Sequence, residues 1–380
     1  MTALIFWISL MVVFYVYVGY PLTAWLLGLF WLRPVLRQPI RPKVSILIAA
    51  FNEEEAIAAT IENKLALDYP QELLEIVVVS DESTDATDSI VQTYADRGVR
   101  LLRQTPRAGK TAALNLAVPQ AAGDILVFSD ANSLYAPDAL GFLVQNFADP
   151  EVGYVTGKMI YVSPDGSTVG DGCSSYMRYE NRLRELETRL GSVVGVDGGI
   201  DAMRKDLYRS LNPDQLPDFV QPLKVVEQGF RVVYDSRALL RESTLKATAD
   251  EYRMRVRVSL RAFWALYDMR TLLGFSVNPL FAWQLWSHKV LRYLCFVFLA
   301  AAWLSNLLLL EDGLFYQVFF FFQSAGYAGA AAIPYLGNYS KWYRLLAFGR
   351  YFVLLNLAAA HAFGKFLLGK KQIVWTPRKG

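Results

Sequence analysis

Three aspartates far apart in the chain carry the chemistry that its residues could perform. Asp81 lies in Ser80-Asp81-Glu82-Ser83-Thr84-Asp85-Ala86-Thr87 and Asp130 in Ser129-Asp130-Ala131-Asn132, each directly after an apolar run, Val77–Val79 or Ile125–Phe128. Such runs read as buried parallel strands, and ligands of open α/β sheets collect beyond the carboxyl ends of those strands. Asp81 could accept from the imide N–H of a uracil. Asp130, with the carbonyl of Asn132 two residues on, could hold Mg2+ or Mn2+ against a diphosphate, because hard cations take oxygen ligands and often only one or two carboxylates. Lys110, in Arg107-Ala108-Gly109-Lys110-Thr111, could add positive charge at the phosphates from a helix start. Asp218, in Leu216-Pro217-Asp218-Phe219-Val220, is the candidate general base. The competing role for each aspartate is to cap a helix, and for Lys110 to be a solvated surface lysine. Taken together, the set offers a grip on a base, a counter-charge for a leaving diphosphate and a proton acceptor for an incoming hydroxyl.

The elements that must position these residues alternate. Strand-like runs at 43–50, 74–79, 99–103 and 124–128 are each followed by a helical stretch, and the first passes through Asn52 and Glu53 into an acidic helix start. This alternation predicts an α/β fold with a doubly wound, mostly parallel sheet. Beyond Pro150 the pattern loosens into strands at 154–162 and 231–234 and a long helix over 174–190, followed by a glycine-rich run at 196–200.

The remainder of the chain is apolar, and 54% of the 380 residues are hydrophobic. Ala3–Leu32, Tyr293–Leu310 and Gly313–Ser340 are long enough to span a bilayer, and Leu345–Leu368 is a fourth candidate interrupted by Arg350 and Lys365. Arg33, Arg37, Arg41 and Lys43 after the first span, with Lys289 and Arg292 before the second, predict an integral membrane protein of the cell membrane with its polar domain cytoplasmic. Lys341 and Arg344 fit that topology, whereas Lys370, Lys371, Arg378 and Lys379 conflict with a full fourth crossing. Between 249 and 273, Val256, Leu260, Phe263, Trp264 and Tyr267 share one helical face edged by Arg253, Arg257 and Arg261, which predicts a helix lying in the membrane interface or, alternatively, one packed on the domain. The expected organisation is an anchor at 1–33, a catalytic domain at 42–248, interface helices at 249–289, a transmembrane bundle at 290–368 and a basic tail at 369–380. A net charge of +3 gives no case for nucleic acid, and two cysteines, Cys173 and Cys295, with two histidines, His288 and His361, allow neither a disulfide framework nor a zinc site.

With these residues in view, the chain resembles the membrane-integrated branch of the family 2 glycosyltransferases that includes cellulose, hyaluronan and poly-N-acetylglucosamine synthases. The resemblance rests on Val44–Glu53, Ser80–Thr87, Gly109-Lys110 with Ala113-Leu114-Asn115, Asp130-Ala131-Asn132, Gly198–Arg204 and Pro217–Val220, and it covers 42–238. It implies a GT-A fold, donor contacts from Asn52, Glu53, Asp81, Lys110 and Asp130, a divalent cation at Asp130 and Asn132, Asp218 as the base, and Gly198 and Gly199 lining the acceptor. The implied activity is inverting transfer from a UDP-sugar to a lipid-linked or membrane-associated glycan acceptor. Two departures stand out: Asn132 replaces the second acid of a D-x-D signature, and no Gln-x-x-Arg-Trp string follows the base, although Arg253, Arg257, Arg261 and Trp264 occupy that region. A processive polysaccharide synthase and a catalytically silent nucleotide-binding membrane partner are the alternatives.

Overall fold

The computed structural model describes residues 1–162, 172–243, 248–332 and 343–372. Lys341, Arg378 and Lys379 therefore lie outside the described residues, as does part of the candidate span Gly313–Ser340.

Eight strands form one sheet: β1 Val44–Ala50, β2 Leu74–Asp81, β3 Val99–Gln104, β4 Ile125–Asp130, β5 Leu134–Tyr135, β6 Val152–Val162, β7 Ile200–Arg204 and β8 Arg231–Ser243. Every residue of β1 is buried, because both faces of the sheet are covered. Leu47 and Ala49 face Ala113 and Leu114 of the helix Lys110–Ala117 and Val220 and Leu223 of the helix Pro217–Glu227, while Ile46 and Ile48 face Ile57, Ile61, Leu140 and Leu143 on the other side. This period-2 division explains why the strand reads as an unbroken apolar run.

The strand order is β3-β2-β1-β4-β7-β6-β8-β5. β1 pairs in parallel with β2 and β4, and β2 with β3, as the alternating pattern predicts. The second half differs from the mostly parallel expectation: β7 is antiparallel to both β4 and β6, and β5 is antiparallel to β8, so the sheet is mixed. The reversal of β7 has a positional effect. Its first residue, Ile200, pairs with Ser129 at the carboxyl end of β4. A parallel strand would begin at the opposite edge, so only a reversed β7 brings Gly198 and Gly199 to the rim where Asp130 sits.

Among the described residues one helix, Thr2–Phe30, is long and apolar enough to cross a membrane, and Pro279–Tyr293 with Cys295–Leu307 form a second candidate bent by 57°. Three or four separate crossings are thus not what the described helices show. The apolar face of the helix Thr248–Asp268 meets another helix. Val256, Leu260 and Phe263 are buried against Ala358 and Ala362 of the helix Tyr343–Leu367, with Phe363 and Phe366 alongside. Its apolar face is covered by protein, and amphipathic periodicity alone does not specify the cover. Just beyond, Lys371 pairs with Asp214 and stacks on Trp264, so this end of the described chain lies on the catalytic domain.

The helix Thr2–Phe30 is tied to the domain by buried polar groups. Tyr20 donates to Glu187 Oε1 over 2.5 Å, and His288 lies between Glu187 Oε1 at 2.7 Å and Glu180 Oε2 at 3.2 Å. Glu187 is fully buried and also accepts from the Val194 amide at 3.2 Å. Substituting Glu187 with Ala strands the Tyr20 hydroxyl and the Nδ1 side of His288, so a loss of about 3–5 kcal/mol is expected. Removing the exposed Arg182–Glu185 pair is expected to cost less than about 1 kcal/mol, and thermal unfolding of the two variants side by side checks the contrast.

Candidate functional site

The segment 107–110 touches all three candidate aspartates. Asp81 ends β2, and its fully buried carboxylate accepts from the amides of Ala108 at 2.8 Å and Gly109 at 2.9 Å and from the side chain of Gln104. Arg107 Nε stands 3.7 Å away, and its guanidinium lies 3.4 Å over the Phe51 ring. In this arrangement Asp81 fixes the loop that starts the helix Lys110–Ala117, and its oxygens face protein N–H groups. Gly109 precedes that helix with φ of 92°, a conformation that costs a residue with a Cβ.

Lys110 is the centre of the site. Its ammonium is 2.7 Å from Asp130 Oδ1 and 3.2 and 3.3 Å from the two oxygens of Asp218, so one cation joins the end of β4 to the first turn of the helix Pro217–Glu227. Burial works against its charge, but Asp130 and Asp218 together hold it above the ordinary lysine range. Burial also lifts the Asp218 carboxyl above the usual carboxylate range; Lys110 opposes that rise and Asp130 adds to it. The surface-lysine reading of Lys110 is excluded by this position.

Helix capping does not account for these carboxylates. The helix after β2 starts at Thr87, and it is Asp85 that accepts from the Thr87 amide at 3.0 Å. Asp130 runs through a turn, with the Ser133 amide bonded to its carbonyl, into the short strand β5. Pro217 supplies the first turn of its helix, where a missing N–H is harmless, and the Asp218 side chain is turned to Lys110.

Asn52 and Glu53 form the next wall. Asn52 has φ of 52°, a left-handed conformation that Asn tolerates better than most residues. Its Oδ1 accepts from the Thr84 amide at 2.8 Å, and the Glu53 amide donates to Thr87 Oγ1 at 2.9 Å, which binds the loop after β1 to the loop after β2. Burial, then the charges of Asp130 and Asp85, push the Glu53 carboxyl up to about 7.

Gly198 closes the site on its other side. It has φ of +86°, and a Cβ there would come within 2.7 Å of the Asp218 carboxyl. Gly199 is equally confined, by Leu240 at 2.7 Å. Two further residues come together here. Asp201, on β7, is fully buried, and burial followed by the nearby Asp218 pushes it up to about 7. Arg261, placed by its spacing on the edge of an amphipathic helix, is turned inward: it donates to the Gln215 carbonyl at 2.7 Å, while its buried Nε has no hydrogen-bond partner among the described residues. Burial lowers it to about 10 against the opposing pull of Asp218. The absence of a Gln-x-x-Arg-Trp string hid this residue.

Asn132 is half-buried two residues beyond Asp130, whose side chain is 38% exposed. Among the described residues no group of three His, Cys, Asp or Glu side chains could enclose a metal. One open carboxylate beside an amide carbonyl fits a cation that completes its shell with substrate oxygens and water, the usual habit of Mg2+.

Residues 45–211 match the sequence model of glycosyl transferase family 2. The chain carries a family 2 glycosyltransferase domain. Over 173 residues it is 31% identical to the beta-monoglucosyldiacylglycerol synthase of Nostoc sp., a match covering 44% of this chain and 37% of that protein. Over 273 residues it is 24% identical to the poly-beta-1,6-N-acetyl-D-glucosamine synthase of Staphylococcus epidermidis, covering 68% of this chain and 66% of that one. The chain thus spans less than two thirds of either curated relative. Among solved structures, the mannosyltransferase PcManGT from Pyrobaculum calidifontis, in complex with GDP-Man and Mn2+, superposes with a TM-score of 0.74 at 23% identity over 96% of this chain and 99% of that one. The glycosyltransferase domain therefore has the GT-A fold, and the similarity to PcManGT extends over the helices on both sides of the domain.

Proposed function

We propose that this protein is a membrane-bound inverting glycosyltransferase that moves a sugar from a nucleoside diphosphate sugar, a UDP-sugar in the first instance, to a lipid-linked or membrane-associated glycan acceptor at the cytoplasmic face. The observation that carries the reading is the Lys110 ammonium held between Asp130 and Asp218, with the glycine loop 198–199 pressed against Asp218. In this mechanism Asp218 takes the proton of the acceptor hydroxyl as the oxygen attacks the anomeric carbon, and the C–O bond to the diphosphate breaks on the opposite face. Lys110, and Arg261 with its unpartnered Nε, set positive charge where the leaving diphosphate gains negative charge. Asp81, Asn52 and Glu53 shape the donor pocket through the loops they fasten. Asp130 and Asn132 would hold a divalent cation, Mg2+ or Mn2+, which supplies charge neutralisation at the diphosphate when bound.

Membrane attachment is part of the proposal. The helix Thr2–Phe30 leaves Trp7, Leu22, Trp25 and Leu29 exposed, and the helix Leu314–Ala332 leaves Phe321 and Phe322 exposed. Apolar surface of that extent calls for a lipid cover. The relatives named as a glycolipid synthase and a polysaccharide synthase agree with an acceptor kept at a membrane.

The direct test supplies the purified full chain in lipid nanodiscs with a panel of UDP-sugars, GDP-mannose as comparator, and total membrane lipid, and follows nucleotide release and product mass. Donor-dependent glycosylation of a lipid or glycan is expected; no turnover with any donor would leave the silent nucleotide-binding protein as the better reading. In the same assay excess chelator is expected to abolish turnover and added Mn2+ or Mg2+ to restore it, and full activity in chelator would remove the metal role given to Asp130 and Asn132.

A further inference from the structure

One cation beside the glycine loop is not used by this mechanism. Lys289 belongs to the helix Pro279–Tyr293, and its ammonium lies directly on the backbone of Gly195, at a place where any Cβ would collide with it. It also stands 5.8 Å from the ring of Phe219, the residue after Asp218. The carboxylates around it are committed elsewhere. Asp197 pairs with Arg184 at 2.6 Å, Glu180 with Arg292 at 2.5 Å, and His288 lies between Glu180 and Glu187. Among the described residues no carboxylate lies within ion-pair distance of Lys289 itself, although the group is only partly exposed. A half-buried ammonium without a counter-ion is costly unless a ligand supplies one.

Its position indicates which ligand. Gly195 precedes by three residues the glycine that abuts Asp218, so it is within about 11 Å of that point along the chain, and the Lys289 ammonium rests against it. Lys110 touches Asp218 and Arg261 feels its charge, whereas Lys289 rests against Gly195 and near Phe219, at the foot of the glycine loop that the resemblance gives to the acceptor. The helix that carries it bends into the apolar helix Cys295–Leu307, where the head of an amphiphile would meet apolar surface. We propose that Lys289, seated on Gly195, binds a phosphate carried by a membrane lipid, and so selects a phosphate-bearing lipid acceptor over a neutral one. A lysine suits this role as a compact point charge for phosphate oxygens. The inference rests on the transferase reading under Proposed function, with the acceptor side that the resemblance gives to Gly198 and Gly199, and deepens it.

The test reads binding without turnover. Dioctanoyl phosphatidic acid and dioctanoylglycerol are titrated against the full chain in nanodiscs of neutral lipid, for wild type, K289Q, K289R and G195A. Wild type is expected to prefer the phosphatidic acid by about tenfold or more, the strength of a hydrogen bond to a charged group. K289Q is expected to lose most of that preference, K289R to keep most of it, and G195A, which displaces the ammonium, to lose it from a second position so that the result does not depend on one variant folding. An equal preference in wild type and K289Q overturns the proposal. Displacement of phosphatidic acid by inorganic phosphate at similar concentration also overturns it, in favour of a free-anion site; failure to displace supports the lipid. A wild-type protein that binds phosphatidic acid through Lys289 yet never turns over refutes the glycosyltransferase reading alone.

Discussion

Asp218→Asn is expected to lower turnover by about 10²–10⁴-fold while donor affinity stays within a few fold, the effect of deleting a general base from an otherwise intact site. The isosteric amide keeps the packing against Gly198, where the loop backbone leaves no room for a larger group, so the loss reports the missing proton acceptor. The pH profile gives a second reading. Burial raises the folded-state pKa of Asp218 above the ordinary carboxylate value, and the base works only when ionised. Turnover in wild type should therefore rise with pH through an acid limb that lies above the usual aspartate range, and this limb should be absent from the residual activity of the variant. Equal turnover in wild type and Asp218→Asn would assign the base elsewhere, with Asp201, a buried carboxyl that feels the charge of Asp218, one candidate.

Much of this arrangement is legible in the sequence, for a physical reason. A buried parallel strand needs apolar residues on both faces, so Val77–Val79 and Ile125–Phe128 mark their own ends, and a carboxylate following such a run must emerge at the rim. Other parts depend on contacts between distant segments. Nothing in Arg107–Thr111 reveals that Lys110 reaches Asp218, 108 residues away, or that Asp81 is satisfied by the amides of Ala108 and Gly109. The strand β7 is hidden altogether, because Ile200-Asp201-Ala202-Met203-Arg204 is short and interrupted by charged residues, and so its reversal is hidden with it. Likewise, the face of Val256, Leu260 and Phe263 is evident from its spacing, but the same face suits a bilayer or the helix Tyr343–Leu367, and only the fold decides. Arg261 illustrates the limit of reading charges by face: spacing places it only on the edge of an amphipathic helix, yet its guanidinium is among the most buried in the described chain.

Lys110→Met should be nearly as damaging as loss of the base, and by a route that leaves a different trace. With the ammonium gone, Asp130 and Asp218 face one side of the rim without the cation they share, and each disfavours ionisation of the other. The Asp218 carboxyl, already lifted by burial, loses the interaction that pulls it down, so its pKa rises further. A base with a higher pKa is protonated over more of the working range. The acid limb of turnover should thus move to higher pH, with about a tenfold loss at fixed acidic pH for each unit of displacement. Loss of a positive charge at the leaving diphosphate adds to this, for an overall fall of roughly 10²–10³-fold near neutrality. Raising the pH should recover the part due to the base and leave the part due to the diphosphate, whereas Asp218→Asn should recover nothing. Lys110→Arg is a stringent comparison, because a planar fork cannot reproduce a point charge held between two carboxylates at 2.7 and 3.2 Å. If Lys110→Met changed donor affinity alone, with the acid limb in place, Lys110 would act solely on the diphosphate and its contact with Asp218 would have no part in setting the base.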